Sequence, residues 1–224
     1  MKKLLITIDG PAGAGKTTVS RALADCLGYR YIDTGALYRA VALEVQACGI
    51  DPHDDDALVE LCRHLELTFV ATGEGRLVCN GEDITDQIRT PEITMLASDV
   101  SAKAAVRGFL LDVQRKLATN KAAVFEGRDM GTVVFPDADV KFFLDASPKA
   151  RALRRYRELE AKSGQSLAEV EQDINRRDDH DQSRSIAPLK PAADAIRIDS
   201  THLTMEQVVA QMVTHIRANF GGFN

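Results

Sequence analysis

Apolar and polar residues alternate along this chain in two kinds of pattern. A continuous apolar run over residues 4–9 predicts a short buried strand, which Gly10-Pro11 ends. Over residues 16–27 the apolar side chains recur at helical spacing on one face. A strand, a glycine-rich turn and a helix in this order are typical of the start of a parallel α/β sheet.

The same two patterns predict further strands and helices up to the C-terminus. Apolar runs predict strands at residues 122–125, 140–144 and 195–198. Helical spacing predicts helices starting near Thr34 and spanning about 91–117, 150–162, 167–177 and 205–219. Ser147 and Pro148 suit the N-cap and first position of the helix at 150–162, and Ser163-Gly164 is expected to end it.

Residues 66–89 have a different character from the rest of the chain. Two β-type runs, at 67–70 and 77–79, flank a glycine turn at 73–75. The Asn-Gly pair at 80–81 is a second hairpin signal. We therefore predict a three-layer parallel α/β core that carries a small insertion of antiparallel strands.

Composition excludes several classes of protein. A hydrophobic content of 45% suits a globular domain, and the net charge of −5 argues against binding to nucleic acid through a positive field. The four cysteines form no C-x-x-C pair, so free thiols are expected. No apolar run is long enough for a signal peptide or a membrane helix. We expect a cytoplasmic protein without nucleic-acid or membrane partners.

Residues 10–17, Gly-Pro-Ala-Gly-Ala-Gly-Lys-Thr, match the motif GxxxxGK[ST] at every fixed position. Glycines let successive backbone N–H groups point at phosphate oxygens, Lys16 can reach the β- and γ-phosphates, and the Thr17 hydroxyl can ligate Mg²⁺. A glycine turn without a ligand is the alternative. The predicted ATP-binding residues are Gly10, Pro11, Ala12, Gly13, Ala14, Gly15, Lys16, Thr17 and Thr18.

The phosphate loop alone does not select a function, because P-loop proteins include switches, motors and kinases. A GTPase would need an Asn-Lys-x-Asp motif to recognise guanine. Residues 120–123, Asn-Lys-Ala-Ala, are the nearest match and lack the aspartate. The choice therefore depends on the residues that could bind a second substrate.

Two segments are candidates for that second substrate. Thr34, near a helix start, and Arg39 could hold a phosphate, although an N-cap threonine and a surface arginine would look the same. After the predicted strand at 122–125, Arg128 could hold a phosphate and Asp129 a sugar hydroxyl, unless the two form a simple ion pair. Glu126 is a candidate water-mediated partner of Mg²⁺.

A third candidate segment is the charged run at residues 176–184, which would usually indicate a solvated stretch. Arg151, Arg154 and Arg155 on the preceding helix could face the same space. Arginines on a mobile element that closes over ATP would stabilise phosphoryl charge and exclude water. His180 is interpreted as an incidental polar residue.

Several motifs together resemble the bacterial-type cytidylate kinase family, over about residues 5 to 200. They are ITIDGPAGAGK, DTGALYR, EGRDMGTVVFPDA, FLDAS and RRDDHDQSRSIAPL. The resemblance implies a core (1–34, 100–150 and 186–224), a monophosphate-binding region with an insertion (35–99) and a helical lid (151–185). It also implies direct in-line transfer from ATP with Mg²⁺ to CMP and dCMP, by a protein that acts as a monomer.

The resemblance also assigns residues to the substrates. Thr34, Arg39, Arg107, Arg128 and Arg184 would surround the acceptor nucleotide, Asp129 and Arg177 would hold its sugar, and Ser98, Arg107 and Asp181 would recognise cytosine. Lys16, Arg128, Arg177 and Arg184 would act on the transferred group, and Arg154 would contact ATP.

This sequence departs from the commonest family pattern at two of these positions. Thr34 stands where serine is frequent, and His180 where arginine is frequent.

Two other functions stay open on the sequence. One is a kinase for another small acceptor, such as UMP, dTMP or shikimate, and the other is a regulatory module that binds ATP without turnover.

Overall fold

The computed structural model describes residues 3–70, 76–159 and 165–221. The chain divides into two compact units, the first formed by residues 1–31 and 120–224 and the second by residues 32–119. Within the described ranges, no helix is both long and apolar enough to cross a bilayer.

The first unit contains the main sheet. Its strands are β1 (Leu5–Asp9), β2 (Arg30–Asp33, which runs into the second unit), β6 (Ala123–Gly127), β7 (Val140–Asp145) and β8 (Ile196–Asp199). Its helices are α1 (Lys16–Leu27), α6 (Pro148–Leu159), α7 (Leu167–Ser183) and α8 (Met205–Phe220). The strand order is β2-β6-β1-β7-β8, and β1 pairs in parallel with both β6 and β7. The predicted parallel α/β core is confirmed.

One face of this sheet forms the core of the first unit. Ile6 and Ile8 of β1 and Phe142 of β7 pack with Leu23 of α1 and Met212 of α8, and all five are buried. Both faces of β1 are buried, which explains why its sequence is an unbroken apolar run rather than an alternating one. The loop after β1 therefore starts from the centre of a rigid sheet.

Helices α6 and α7 form a hairpin with its own small core of Ala152, Val170 and Ile174. The predicted end of α7 near Arg177 is wrong, because the helix continues to Ser183. Asp178 and Asp181 extend the buried face of Ile174 at helical spacing, so tertiary contacts hold a segment whose composition suggests a solvated run. The predicted end of α6 at residues 160–164 lies outside the described residues.

The second unit combines helices with a small antiparallel sheet. Its elements are α2 (Thr34–Ala47), α3 (Asp55–Arg63), β3 (Leu67–Val70), β4 (Arg76–Cys79), β5 (Glu82–Asp83), a 3-10 turn (Gln87–Arg89), α4 (Pro91–Val100) and α5 (Ala104–Leu117). The antiparallel order β3-β4-β5 confirms the predicted insertion. Asn80 and Gly81 adopt φ of 49° and 87°, as the predicted hairpin turn requires. The glycine turn at 73–75 lies outside the described residues.

Two details of the second unit differ from the sequence prediction. The helix predicted over 91–117 is two helices, because the chain breaks at residues 101–103, where the Ser101 hydroxyl donates to the Ser98 carbonyl. Helix α3 was not predicted. Asp54 caps its N-terminus by accepting from the Ala57 N–H, and only two of its side chains are buried, so its apolar pattern is weak.

Candidate active site

The phosphate loop follows β1 and is packed so closely that glycine is required at two positions. A Cβ at Gly10 would lie 2.0 Å from the Leu144 carbonyl oxygen. Gly13 has φ of 73°, and a Cβ there would lie 3.0 Å from the carbonyl oxygen of Arg151. The loop is therefore seated against β7 and the first turn of α6 before any nucleotide binds.

Lys16 is buried, and its ammonium group donates to the Pro11 carbonyl at 2.7 Å. Burial, together with the positive charges of Arg128 and Arg177, lowers the pKa of Lys16 to about 7, although Glu126 and Asp181 act in the opposite direction. The charged form of Lys16 is disfavoured mainly because the side chain is removed from water, and an anion bound beside it would favour the charged form. The site is thus arranged to receive an anion.

Two further carbonyls of the loop accept hydrogen bonds from α6. The Arg151 guanidinium donates to the Ala12 carbonyl at 2.9 Å, and that of Arg154 donates to the Ala14 carbonyl at 3.2 Å. Arg154 also donates to the Ser200 carbonyl at 2.5 Å. Carbonyls held by cations are turned away from an anion, which suits a loop that offers its N–H groups to phosphate.

The third arginine of α6 that was predicted to face this space, Arg155, makes a different contact. Arg155 pairs with Glu158 at 3.0 Å, and both side chains are exposed. This pair is a surface contact of little energetic weight. Arg155 lies one helical turn after Arg151, but its guanidinium pairs with Glu158 at the surface, so the expectation that it faces the same space as Arg151 and Arg154 is wrong.

Oxygen atoms suitable as ligands for Mg²⁺ lie where the end of β6 meets the start of α1. Glu126 is buried and accepts from the Thr17 hydroxyl at 2.9 Å and from the Tyr31 hydroxyl at 2.6 Å. No group of three or more His, Cys, Asp or Glu side chains suited to a metal occurs in the part of the chain that the structure describes. One carboxylate beside one hydroxyl fits a Mg²⁺ ion that also binds phosphates and water.

Asp9, at the end of β1, holds the loop that carries Arg128 and Asp129. Its two carboxylate oxygens accept from the Met130 and Gly131 N–H groups, each at 2.8 Å. Those residues begin a π-helical turn over Met130–Val134. Burial raises the pKa of Asp9 to about 6, against the effect of the two hydrogen bonds. This role of Asp9 was not predicted from the sequence, although a carboxylate at the end of a buried apolar run is visible there.

Asp181 of α7 is buried between two arginines. It accepts from Arg128 Nε at 3.0 Å and from Arg184 Nη2 at 2.5 Å. Burial raises the pKa of Asp181, but the charges of Arg128, Arg184 and Arg177 outweigh it and hold the pKa below its usual value. The partner of Arg128 is thus Asp181, which is distant in sequence.

The first unit therefore brings together several of the predicted site residues. The charge of Arg177 lowers the pKa of both Lys16 and Asp181, so Arg177 influences the phosphate-loop lysine as well as the carboxylate of α7. The charge of Asp129 adds to the raised pKa of Asp9. We call the cluster of four basic side chains around the Asp181 carboxylate the basic cluster: Lys16, Arg128, Arg177, Asp181 and Arg184.

Thr34 is not the N-cap of α2, contrary to the alternative considered for it from the sequence. The N-cap is Asp33, whose carboxylate accepts from the Ala36 N–H at 3.2 Å, and Thr34 is the buried first residue of the helix. Arg39 donates to the other Asp33 oxygen at 2.8 Å. Asp33 therefore fixes both the helix start and the arginine, and Thr34 is not needed as a cap.

The other predicted residues of the second unit lie on α4 and α5. Arg107 is buried, donates to the Ser101 carbonyl at 3.3 Å and lies over the Tyr38 ring at 5.9 Å from its centroid. Ser98 provides the carbonyl that the Ser101 hydroxyl contacts. A buried guanidinium that lies on an aromatic face is held in one orientation, which suits Arg107 to the recognition of a planar polar ligand.

Sequence comparison identifies relatives along almost the whole chain. The family model "Cytidylate kinase" matches residues 6–218. A cytidylate kinase of Geobacter sulfurreducens is 51% identical over 216 residues, which are 96% of this chain and 93% of the relative. A cytidylate kinase of Mannheimia succiniciproducens is 45% identical over 218 residues, with 96% of each chain covered.

Solved structures with a similar fold include a shikimate kinase from Acinetobacter baumannii in complex with shikimate. It is 18% identical, covers 98% of this chain and 96% of its own, and has a TM-score of 0.51. An uncharacterised protein from Eubacterium ventriosum is 11% identical over 97% of this chain and 100% of its own, with a TM-score of 0.54. At such identities these neighbours support the fold alone.

Proposed function

Because the chain belongs to the cytidylate kinase family, we propose that it transfers the γ-phosphoryl group of ATP directly to CMP and dCMP, forming CDP and dCDP. It is a nucleoside-monophosphate kinase that uses ATP and phosphorylates CMP. Acceptance of dCMP, dependence on Mg²⁺ and the roles of individual residues are the proposed part. A monomeric state and a cytoplasmic location also stay predictions.

The observation that carries the proposal is the basic cluster. Four basic side chains lie around Asp181, and the charges of Arg128 and Arg177 lower the pKa of Lys16 although Glu126 and Asp181 raise it. A kinase must bind two phosphorylated substrates whose charges repel each other, and such a cluster compensates that repulsion. An ATP-binding module without turnover would need cations for only one phosphate chain.

On the donor side, the loop N–H groups and Lys16 would hold the β- and γ-phosphates. Arg154 supports the loop through Ala14, so its proposed contact with ATP would be in addition to that bond. Thr17 and Glu126 would hold Mg²⁺ together with ATP oxygens and water. When bound there, Mg²⁺ would neutralise charge that develops on the phosphates.

On the acceptor side, the two arginines that now pair with Asp181 would turn to the monophosphate of CMP. This exchange would free the Asp181 carboxylate to accept from the cytosine amino group, with Ser98 and Arg107 on the same base. UMP presents a carbonyl at that position, so Asp181 would face an acceptor and stay unpaired. Thr34 and Arg39 would complete the phosphate contacts, and Asp129 and Arg177 would bind the sugar.

The chemistry requires alignment more than proton transfer. The second pKa of a phosphate monoester is about 6, so the acceptor is already anionic near neutral pH and no catalytic base is needed. Lys16, Arg128, Arg177 and Arg184 would stabilise the charge that spreads over the transferred group. Closure of the α6–α7 hairpin would exclude water and so prevent hydrolysis of ATP.

The test is ADP release from ATP and Mg²⁺ with CMP, dCMP, UMP, dTMP or AMP, each supplied separately. We expect strong turnover with CMP and dCMP and weak turnover with UMP. The variant Lys16→Met, which keeps the length of the side chain but removes its charge, serves as the inactive control. Turnover that prefers UMP or AMP would refute the acceptor assignment, and ATP binding without turnover on any acceptor would favour the regulatory module.

A further inference from the structure

The Arg151 guanidinium joins three parts of the first unit. It donates from Nε to the Ala146 carbonyl at 2.9 Å and from Nη1 to the Ala12 carbonyl at 2.9 Å. Nη1 also lies 2.5 Å from Oδ2 of Asp178 in α7. One buried side chain thus contacts the turn after β7, the phosphate loop and the helix that carries Arg177 and Asp181.

Contact between α6 and the phosphate loop at this point also involves the backbone. A Cβ on Gly13 would lie 3.0 Å from the Arg151 carbonyl oxygen and 3.1 Å from the Arg151 Cβ. Since no gap separates the helix from the loop, Arg151 cannot move without moving the loop. A displacement of the phosphate loop would therefore displace the Arg151 guanidinium and, through it, Asp178 on the other side.

On that other side, Asp178 belongs to the same continuous helix as the residues of the basic cluster. Arg177 is its neighbour, and Asp181 lies one helical turn further on. A shift or rotation of α7 at Asp178 would displace both of them, because helix geometry fixes their relative positions. The position of Asp178 therefore sets the position of the acceptor-binding face of α7.

The pair is poorly explained as a source of stability. Arg151 and Asp178 are both more than nine-tenths buried, and the other Asp178 oxygen, Oδ1, is buried with no hydrogen-bond partner among the described residues. Burying two charges costs about as much as their attraction returns, and an unpaired oxygen adds to the cost. Such a pair is better suited to selecting one arrangement of the helices and the loop than to increasing the free energy of unfolding.

We propose that the Arg151–Asp178 ion pair is a positioning device that holds α7 in register with the phosphate loop and so aligns the two substrates. The proposal rests on the proposed kinase function, and it places neither residue in contact with a nucleotide. Loss of alignment by about an ångström costs phosphoryl transfer on the order of 100-fold, while binding of each substrate alone changes little.

The experiment compares two variants that carry the same chemical change on the same helix. Asp178→Asn removes the charge that faces Arg151, whereas Asp173→Asn removes the partner of Arg176 in an exposed pair of α7. With both substrates saturating, we expect Asp178→Asn to lower kcat by about 10- to 100-fold and to change the KM for ATP by about twofold or less. Asp173→Asn should stay within about twofold of wild type.

A second variant separates positioning from folding. Arg151→Lys keeps a positive charge beside Asp178 but cannot donate to all three acceptors, and its kcat should fall as that of Asp178→Asn does. If the residues act as one unit, Arg151→Lys combined with Asp178→Asn is no worse than the more damaging single change. Multiplying effects, or an unchanged kcat in Asp178→Asn that unfolds like wild type, would overturn the proposal.

One readout does not depend on CMP turnover. ATP binding should slow backbone hydrogen exchange in residues 176–183 of the wild type, because the loop and α7 are coupled through Arg151. The slowing should be lost in Asp178→Asn and kept in Asp173→Asn. If ATP leaves exchange in α7 unchanged in the wild type, the coupling is absent, whereas failure of CMP turnover alone would count against the kinase assignment and not against the coupling.

Discussion

Arg128 and Asp181 form an ion pair, 3.0 Å between Nε and Oδ2, that joins the loop after β6 to the last two turns of α7. The carboxylate is buried, and the arginine is only partly exposed. Fifty-three positions separate the two residues in the sequence. Their contact places a candidate phosphate-binding residue beside a candidate base-binding residue. Each must leave the other before it can bind its part of the nucleotide.

Asp181→Asn should change acceptor choice more than ATP binding. The amide has no charge and only one acceptor oxygen, so it cannot pair with Arg128 and Arg184 as the two carboxylate oxygens do. Its NH₂ group can donate to the uracil carbonyl that a carboxylate would leave unpaired. We expect kcat/KM for CMP to fall about 100-fold and the preference for CMP over UMP to fall at least about tenfold. Steady-state kinetics with both acceptors measures this. An unchanged preference in a folded variant would remove Asp181 from base recognition.

ATP binding should be accompanied by proton uptake at Lys16. Its pKa of about 7 in the nucleotide-free protein leaves a large part of the Lys16 population neutral at pH 7.5, and nearby phosphates would raise that pKa. Affinity for ATP should therefore weaken as the pH rises from 7 to 9. Calorimetric titration at pH 7.5 in buffers of different ionisation enthalpy gives the number of protons taken up, and Lys16→Met should remove the part that belongs to Lys16.

The phosphate loop and the parallel sheet were predictable from the sequence because both depend on local patterns. A buried central strand needs a continuous apolar run, and the loop needs glycine where Leu144 and Arg151 leave no space. The Asn80-Gly81 turn is equally local, since its positive φ values limit which residues fit. These features are fixed by short-range constraints.

Much of the candidate site was less predictable because its contacts are distant in sequence. Helix α7 continues through Asp178 and Asp181 because buried ion pairs hold it, and no periodicity of apolar residues marks them. Arg155 and Arg151 look alike in the sequence, and only the packing of α6 separates a surface arginine from one that contacts the phosphate loop.

Asp9 should make stability depend on pH in a characteristic direction. Its pKa is about 6 in the folded protein against 3.8 for an ordinary aspartate, so the folded protein binds a proton more tightly than the unfolded chain. The contribution of Asp9 is therefore fully present below about pH 4 and is lost as the pH rises through 6. The shift corresponds to an upper limit of about 3 kcal/mol.

Urea unfolding of wild type and Asp9→Asn between pH 4.5 and 7 tests this expectation. The variant cannot titrate, so the part of the pH dependence that belongs to Asp9 should disappear. The variant should also bind acceptor less well at every pH, since one of the Met130 and Gly131 N–H groups would lose its carboxylate oxygen. An identical pH dependence in both proteins would show that Asp9 titrates normally.

Two glycine substitutions should have opposite effects on stability, although each adds only one methyl group. In Gly10→Ala the new Cβ would lie 2.0 Å from the Leu144 carbonyl oxygen, a backbone atom of β7, so the loop or the sheet must shift. Gly108 lies within α5, and a Cβ there meets nothing within 4 Å. Replacing a helical glycine with alanine stabilises by about 0.5–1 kcal/mol.

Thermal unfolding and binding of a fluorescent ATP analogue would therefore separate the two variants. Gly10→Ala should lose ATP binding and unfold at a lower temperature, because the clash lies at the root of the phosphate loop. Gly108→Ala should keep ATP affinity and unfold at a slightly higher temperature, since alanine limits the unfolded chain and fits the helix. If Gly10→Ala binds ATP as tightly as wild type does, the expectation is wrong, because the loop can then shift away from Leu144 without losing its binding geometry.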